Sequence, residues 1–210
     1  MLKRFATLLY EAESNEENKK LFDYLDDYFI HGKHKDQVVD VLLKADKNNC
    51  RIAASFIGNF YLNGKYSVKK DANKAIYWHR RAFFENGDID AGLDLAIFYN
   101  NLAIKNKDST LYKKSVEIYQ KIVTINNHIA LTALGGCYET GRGVEKNIDK
   151  SLEYYKQAIK AGNLAVTIAM SRVYRKHKNW TKGVKMCLKI MPKVLSEIIK
   201  NPDNEKLRKM

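Results

Sequence analysis

The residues that could do chemistry are few. His31 and His34 stand three apart beside Gly32, a spacing that can hold a metal ion, and Cys50 lies farther along the chain. Short motifs of this kind arise often by chance, so the expectation is a solvated loop between helices rather than a metal site. Gly141-Arg142-Gly143 looks like a fragment of a phosphate loop, but no strand precedes it and no Gly-Lys-Ser/Thr follows it. A turn between helices accounts for it. Cys50, Cys137 and Cys187 are odd in number, widely separated and form no C-x-x-C pair, which argues against a disulfide scaffold or a zinc ribbon. No Ser-His-Asp, paired-carboxylate or Cys-His set stands at a usable spacing. The sequence predicts no catalytic residue, no metal and no cofactor, so function has to come from surfaces.

Surfaces need a scaffold, and composition narrows which. With 45% hydrophobic and 29% charged residues, the 210-residue chain is a folded protein rather than a disordered one. Two prolines and eleven glycines leave little punctuation for the tight turns of a sandwich or barrel, which favours helices. Thirteen tyrosines and eight phenylalanines supply a large aromatic core.

The net charge, 37 − 24 = +13, points toward acidic partners. It is unevenly placed: residues 1–31 carry 4 basic and 7 acidic side chains, residues 32–171 carry 21 and 14, and residues 172–210 carry 12 and 3. Lys3 and Arg4 imitate the start of a signal peptide, but the apolar stretch Phe5–Tyr10 is short and closed by Glu11 and Glu13. The expected location is the cytoplasm. No apolar run approaches the ~18 residues of a transmembrane helix.

An internal repeat organises the chain. Large apolar, small, two variable and aromatic positions recur as Ile57-Gly58-x-x-Tyr61, Leu95-Ala96-x-x-Tyr99, Leu134-Gly135-x-x-Tyr138 and Met170-Ser171-x-x-Tyr174. Successive starts differ by 38, 39 and 36 residues. Ala53, Ala91, Ala130 and Val166 lie four residues ahead of each start, on the same helical face. A second block follows each first one: Lys74-Ala75 with Trp78 and His79, Lys114-Ser115 with Ile118 and Tyr119, Lys150-Ser151 with Tyr154 and Tyr155, and Lys182-Gly183 with Met186 and Cys187. Each unit is therefore two helices. A weaker copy precedes them, with Leu25, Phe29 and Gly32, then Val38, Val41, Leu42, Lys44 and Ala45. That makes five pairs.

The small residues allow close helix crossings, since interaxial distances of about 8–10 Å leave no room for long side chains at the contact. Gly32, Gly64 and Gly141 suit left-handed C-caps, and Asp71 and Asn147 suit N-caps of the second helices. His79 occupies the slot of a bulky packing residue, and packing is its expected role.

The stretches Ile57–Ala91 and Leu134–Val166 resemble Sel1-like repeats, relatives of the tetratricopeptide repeat. The second carries Leu134, Gly135, Tyr138, Gly141, Gly143, Val144, Lys150, Tyr155, Ala158, Gly162 and Asn163 of that motif. The first carries Val68, Asp71, Lys74, Ala75, Trp78 and Ala82, with one residue inserted after Gly64. The units at 95–122 and 170–190 lack the loop glycines. The resemblance implies an all-α, right-handed superhelical solenoid whose first helices line a concave face. It also implies a protein-binding scaffold without a reaction, either a signalling adaptor or an immunity protein that neutralises a toxin. A secreted branch of the family linked to β-lactam hydrolysis carries a cysteine pair per repeat, which this chain lacks.

The expected layout is a single solenoid over 1–210. It comprises a degenerate repeat at about 14–47, repeats at about 50–88, 89–125 and 128–163, and a degenerate repeat with capping helix at about 164–210. Counted from each apolar start, offsets 0, +1 and +4 should pack inward and offset +3 between units. Offsets −2, +2 and +6 should face the groove. They read Asp23, Asp27 and His31; Ser55, Asn59 and Asn63; Leu93, Ile97 and Asn101; Thr132, Gly136 and Thr140; and Ile168, Arg172 and Lys176. An acidic first unit and a basic last one would attract a protein whose acidic part meets Arg172, Arg175 and Lys176. The basic residues after Arg175, interleaved with Trp180, Met186, Ile190, Leu195 and Ile198, suit an amphipathic capping helix kinked at Pro192. Nucleic acid or an anionic surface is the alternative partner for that region.

Overall fold

The computed structural model describes residues 37–47, 50–65, 67–178, 180, 181, 183–185, 188, 189 and 192. All regular structure among them is helical. Helices α1 (Val38–Lys47), α2 (Ala53–Asn63), α3 (Ala72–Phe84) and α4 (Ile89–Asn106) are followed by α5 (Ser109–Ile122) and a 3-10 turn at Val123–Ile125. Helices α6 (His128–Thr140), α7 (Ile148–Lys160) and α8 (Val166–Val173) follow, then a π turn at Tyr174–Lys178. The predicted first and second helices are α2 and α3, α4 and α5, and α6 and α7. The degenerate first helix with Asp23, Asp27, His31 and Gly32, together with His34 and Cys187, falls outside the described residues.

Short polar side chains start these helices. Asp71 accepts hydrogen bonds from the Asn73 and Lys74 amides, both at 3.0 Å, and Asn147 accepts one from the Lys150 amide at 2.9 Å. Asp108 and Asn127 do the same for α5 and α6. At the other end, Gly64 and Gly141 adopt φ of 70° and 77°, and their amides donate to Phe60 and Cys137 at 2.8 Å. Where the repeat lacks that glycine, the helix runs on. Leu102 stands at the corresponding place in α4, which continues to Asn106 and stops only where Lys107 takes φ 54°.

The chain divides between Leu95 and Ala96 into two compact units. In the first, Val38, Leu42 and Ala45 of α1 pack on Ile57 and Phe60 of α2. Ala54 of α2 meets Ala82 of α3 and Ala91, with Trp78 beside them. The small residues do what their spacing predicts: a Cβ on Gly58 would stand 3.0 Å from the His79 ring. Buried Asp46 is neutralised by Arg81 at 2.6 Å, and Arg81 also holds Glu85 at 3.1 Å.

In the second unit, buried Ser115 donates to the Ala96 carbonyl at 2.7 Å, tying α5 to α4. A Cβ on Gly135 would stand 2.4 Å from Tyr155, so α6 and α7 cross at a glycine–tyrosine contact. Leu131, Leu152, Tyr155, Val166, Met170 and Val173 close the core. At offset +3, Phe60, Cys137 and Val173 are buried and Phe98 is half-buried. At offset +4, Tyr99 and Tyr174 are buried, whereas Tyr61 and Tyr138 are only half-buried, each with a lysine over its ring. Near the end of the described chain, Leu188 is 67% exposed, off the buried stripe expected of a capping helix.

Candidate functional site

The described groove positions fall on α2, α4, α6, α8 and the π turn after it. Asn63 and Asn101 are exposed and Asn59 is half-buried; the Asn63 side-chain amide donates to the Asn59 carbonyl at 3.0 Å. Ile97 is 42% exposed, an apolar side chain left at a groove position. Leu93 departs from the expectation: it is 5% exposed and belongs to the core. Helix α4 starts at Ile89, so Leu93 sits in its second turn, packed inside rather than facing the groove. Thr132 is also engaged, donating to the His128 carbonyl at 2.7 Å and accepting from Asn163 at 3.1 Å.

Within the second unit three of these positions, Gly136, Thr140 and Arg172, line a hollow of about 200 Å³. Its lining includes Asn100 from α4, Gly136, Glu139 and Thr140 from α6, Arg142 after α6, and Arg172 from α8. Gly136 opens it, since a Cβ there would find only the Tyr155 hydroxyl, 3.8 Å away. Glu139 organises the polar wall. It accepts the Tyr155 hydroxyl at 2.9 Å and the Arg172 Nη2 at 3.1 and 3.3 Å on its two oxygens. Burial, then the adjacent Glu139 carboxylate, pushes the Tyr155 phenol far up, so it stays a donor. Arg172, expected to meet the acidic part of a partner, is anchored to Glu139, while its side chain remains 59% exposed. Arg175 and Lys176 are exposed beside it in sequence. Glu139 at offset +5 was not among the predicted positions. The signal for it was a carboxylate one turn after Gly135 in an otherwise apolar stretch.

The first unit holds a wider cleft of about 630 Å³, lined by Tyr61 and by Lys69, Lys70 and Lys74 near the start of α3. Among the described residues, no group of three or more His, Cys, Asp or Glu side chains is placed to hold a metal ion. Burial pushes the Cys50 thiol up and the Cys137 thiol to about 11, which keeps both in the weakly nucleophilic thiol form. No described helix is long and apolar enough to cross a membrane.

The family model described as Sel1 repeat matches residues 51–83 and 128–163. No curated protein matches the chain. Among solved structures, the chain is similar to a protective antigen present in uropathogenic Escherichia coli strains, whose structure displays an SLR fold. The TM-score is 0.70 at 19% identity, over 92% of this chain and 41% of that one. It is also similar to a Sel1 repeat protein from Oxalobacter formigenes, with a TM-score of 0.57 at 25% identity over 79% of this chain and 67% of that one. The chain thus spans less than half the length of the first of these. Both matched segments are helix pairs with capped ends and a small residue at the crossing, and the chain carries Sel1 repeats at these two places.

Proposed function

We propose that this chain is a non-catalytic scaffold that binds one protein target through the exposed face of its first helices. The target is acidic, and a bacterial immunity protein occluding a toxin domain is the form of this role that suits the chain best. Sel1 repeat proteins are generally protein-interaction scaffolds, and that is the background of the reading. The observation that carries it is the Glu139–Arg172 pair at the rim of the hollow. A guanidinium fixed through one nitrogen and open to solvent keeps oriented donors for a second carboxylate. The net charge of +13 adds fast, salt-sensitive encounter with an acidic protein.

Affinity capture with the tagged chain at low and high salt tests this, with bound protein and nucleic acid both identified. The expected result is one stoichiometric acidic protein, lost when Arg172→Glu and Lys176→Glu are combined. Partner affinity unchanged by that double reversal overturns the groove reading. A regulatory adaptor would instead capture several proteins. The twelve basic against three acidic side chains of residues 172–210 favour a second reading, binding of nucleic acid or an anionic surface. Anisotropy titration with arbitrary DNA and RNA at low salt separates it, and no binding at micromolar protein removes the nucleic-acid form.

A further inference from the structure

The outward face of α3 is built unlike the corresponding faces of α5 and α7. Its exposed positions, spaced four, three and four residues apart, are Asn73, Tyr77, Arg80 and Phe84. Counted from the repeat lysine, the places of Tyr77, Arg80 and Phe84 are taken by Glu117, Gln120 and Thr124 at α5, and by Glu153, Lys156 and Lys160 in α7. All six are exposed and polar. The repeat therefore asks only for a solvated face here, yet Tyr77 is 58% and Phe84 48% exposed.

The two rings are braced. Tyr77 meets half-buried Trp78 edge-on at 5.2 Å between centroids, and Phe84 meets buried Phe83 edge-on at 4.9 Å. Between them along the face, the Arg80 guanidinium lies 5.4 Å from the Phe84 centroid. A guanidinium laid on a ring keeps its N–H edges directed away from it, and Arg80 pairs with no carboxylate among the described residues.

We propose that Tyr77, Arg80 and Phe84 form a docking face for an acidic amphipathic helix of another protein. Apolar side chains from two turns of that helix cover Tyr77 and Phe84, which are about 10 Å apart along the axis. A carboxylate between those turns takes Arg80 edge-on. Two aromatic rings around an arginine is hot-spot composition, and rings braced in advance lose little freedom on binding. Charge selects the occupant. A second copy would set Arg80 and the +13 chain against like charge, whereas an acidic helix relieves it. The face lies on a second helix and does not depend on the first-helix groove.

Panning a phage-displayed library of helical peptides against the full chain tests the proposal, with anisotropy titration of the selected peptides. The expected yield is peptides with Asp or Glu between large apolar residues. Tyr77→Ser, Phe84→Ser and Arg80→Glu should each weaken them at least tenfold, and Lys160→Glu on α7 should not. Arg80→Glu removes no core packing, so it keeps the test decisive should an aromatic substitution unfold the chain. No enrichment, peptides lacking carboxylates, or affinity unchanged in Arg80→Glu overturns the proposal. So does sedimentation showing self-association that Tyr77→Ser abolishes, which would assign the face to a second copy.

Discussion

The Lys150 ammonium lies 5.4 Å from the centroid of the Tyr138 ring, and Tyr138 in turn stacks on Tyr154 at 5.5 Å. The relationship recurs in two other described helix pairs: Lys74 over Tyr61 at 5.0 Å and Lys114 over Tyr99 at 5.8 Å. The lysine opening each second block and the tyrosine closing each first block are therefore partners, clamping the two helices of a pair at one end. Exposed cation–π pairs are worth about 0.5–1 kcal/mol. A double-mutant cycle of Lys150→Ala with Tyr138→Leu, read by urea denaturation, should give a coupling of about that size. Additive single effects would reduce the clamp to coincidence of spacing.

The glycine of the first block has its own measurable role. An added Cβ at Gly135 would come within 2.4 Å of the Tyr155 ring, which is buried and held by Glu139. Gly135→Ala should therefore cost about 1–3 kcal/mol by forcing the ring and its helix aside. Gly136→Ala, one residue on, meets nothing closer than 3.8 Å and should be neutral or slightly stabilising through helix propensity. Melting temperatures of the two variants decide the matter, and equal effects would show that the crossing distance is not set at Gly135.

Much of this architecture was legible because each repeated residue type answers one physical demand. Gly58 and Gly135 mark crossings, Gly64 and Gly141 mark left-handed caps, and Asp71 and Asn147 mark helix starts, so position followed from chemistry. What was not legible depends on neighbours outside the local pattern. Leu93 looks like a groove residue by offset, yet it lies inside. Arg172 reads as a groove cation for a partner's acidic part until Glu139, 33 residues earlier, is brought beside it. Asp46 likewise gives no sign in sequence that Arg81 will neutralise it. Periodicity places a side chain on a face, but only the fold says what stands opposite.

Glu139 and Arg172 should behave asymmetrically. Arg172 is 59% exposed and Glu139 only 13%, and the carboxylate also accepts the buried Tyr155 hydroxyl. Arg172→Ala should cost under about 1 kcal/mol, as exposed ion-pair partners do. Glu139→Ala leaves the Tyr155 hydroxyl without its acceptor and should cost about 1–3 kcal/mol. Chemical denaturation of the two single variants and of Tyr155→Phe checks this. Tyr155→Phe should lose little in the Glu139→Ala background, because the hydroxyl is already stranded there.

Two groups in the first unit titrate against each other. His79 is 1% exposed and neither ring nitrogen has a hydrogen-bond partner, so burial pulls its pKa from 6.5 to about 4 despite the opposing pull of Asp88. Asp94 is pushed from 3.8 to about 6 by burial, then by Asp90 and Asp88. Between pH 4 and 6.5 the unfolded chain binds more protons at His79 than the folded one, so this group removes stability as pH falls. Between pH 3.8 and 6 the folded chain binds more at Asp94, so that group removes stability as pH rises. The slopes oppose, each at most about 1.4 kcal/mol per pH unit. Relative to the parent, His79→Phe should therefore lose stability from pH 4 to 6, and Asp94→Asn should gain it over the same range. Urea midpoints at half-unit pH steps measure both. Parallel profiles for all three proteins would mean that neither group is buried as the fold places it, and that the α2–α3 crossing at Gly58 is looser than the His79 contact implies.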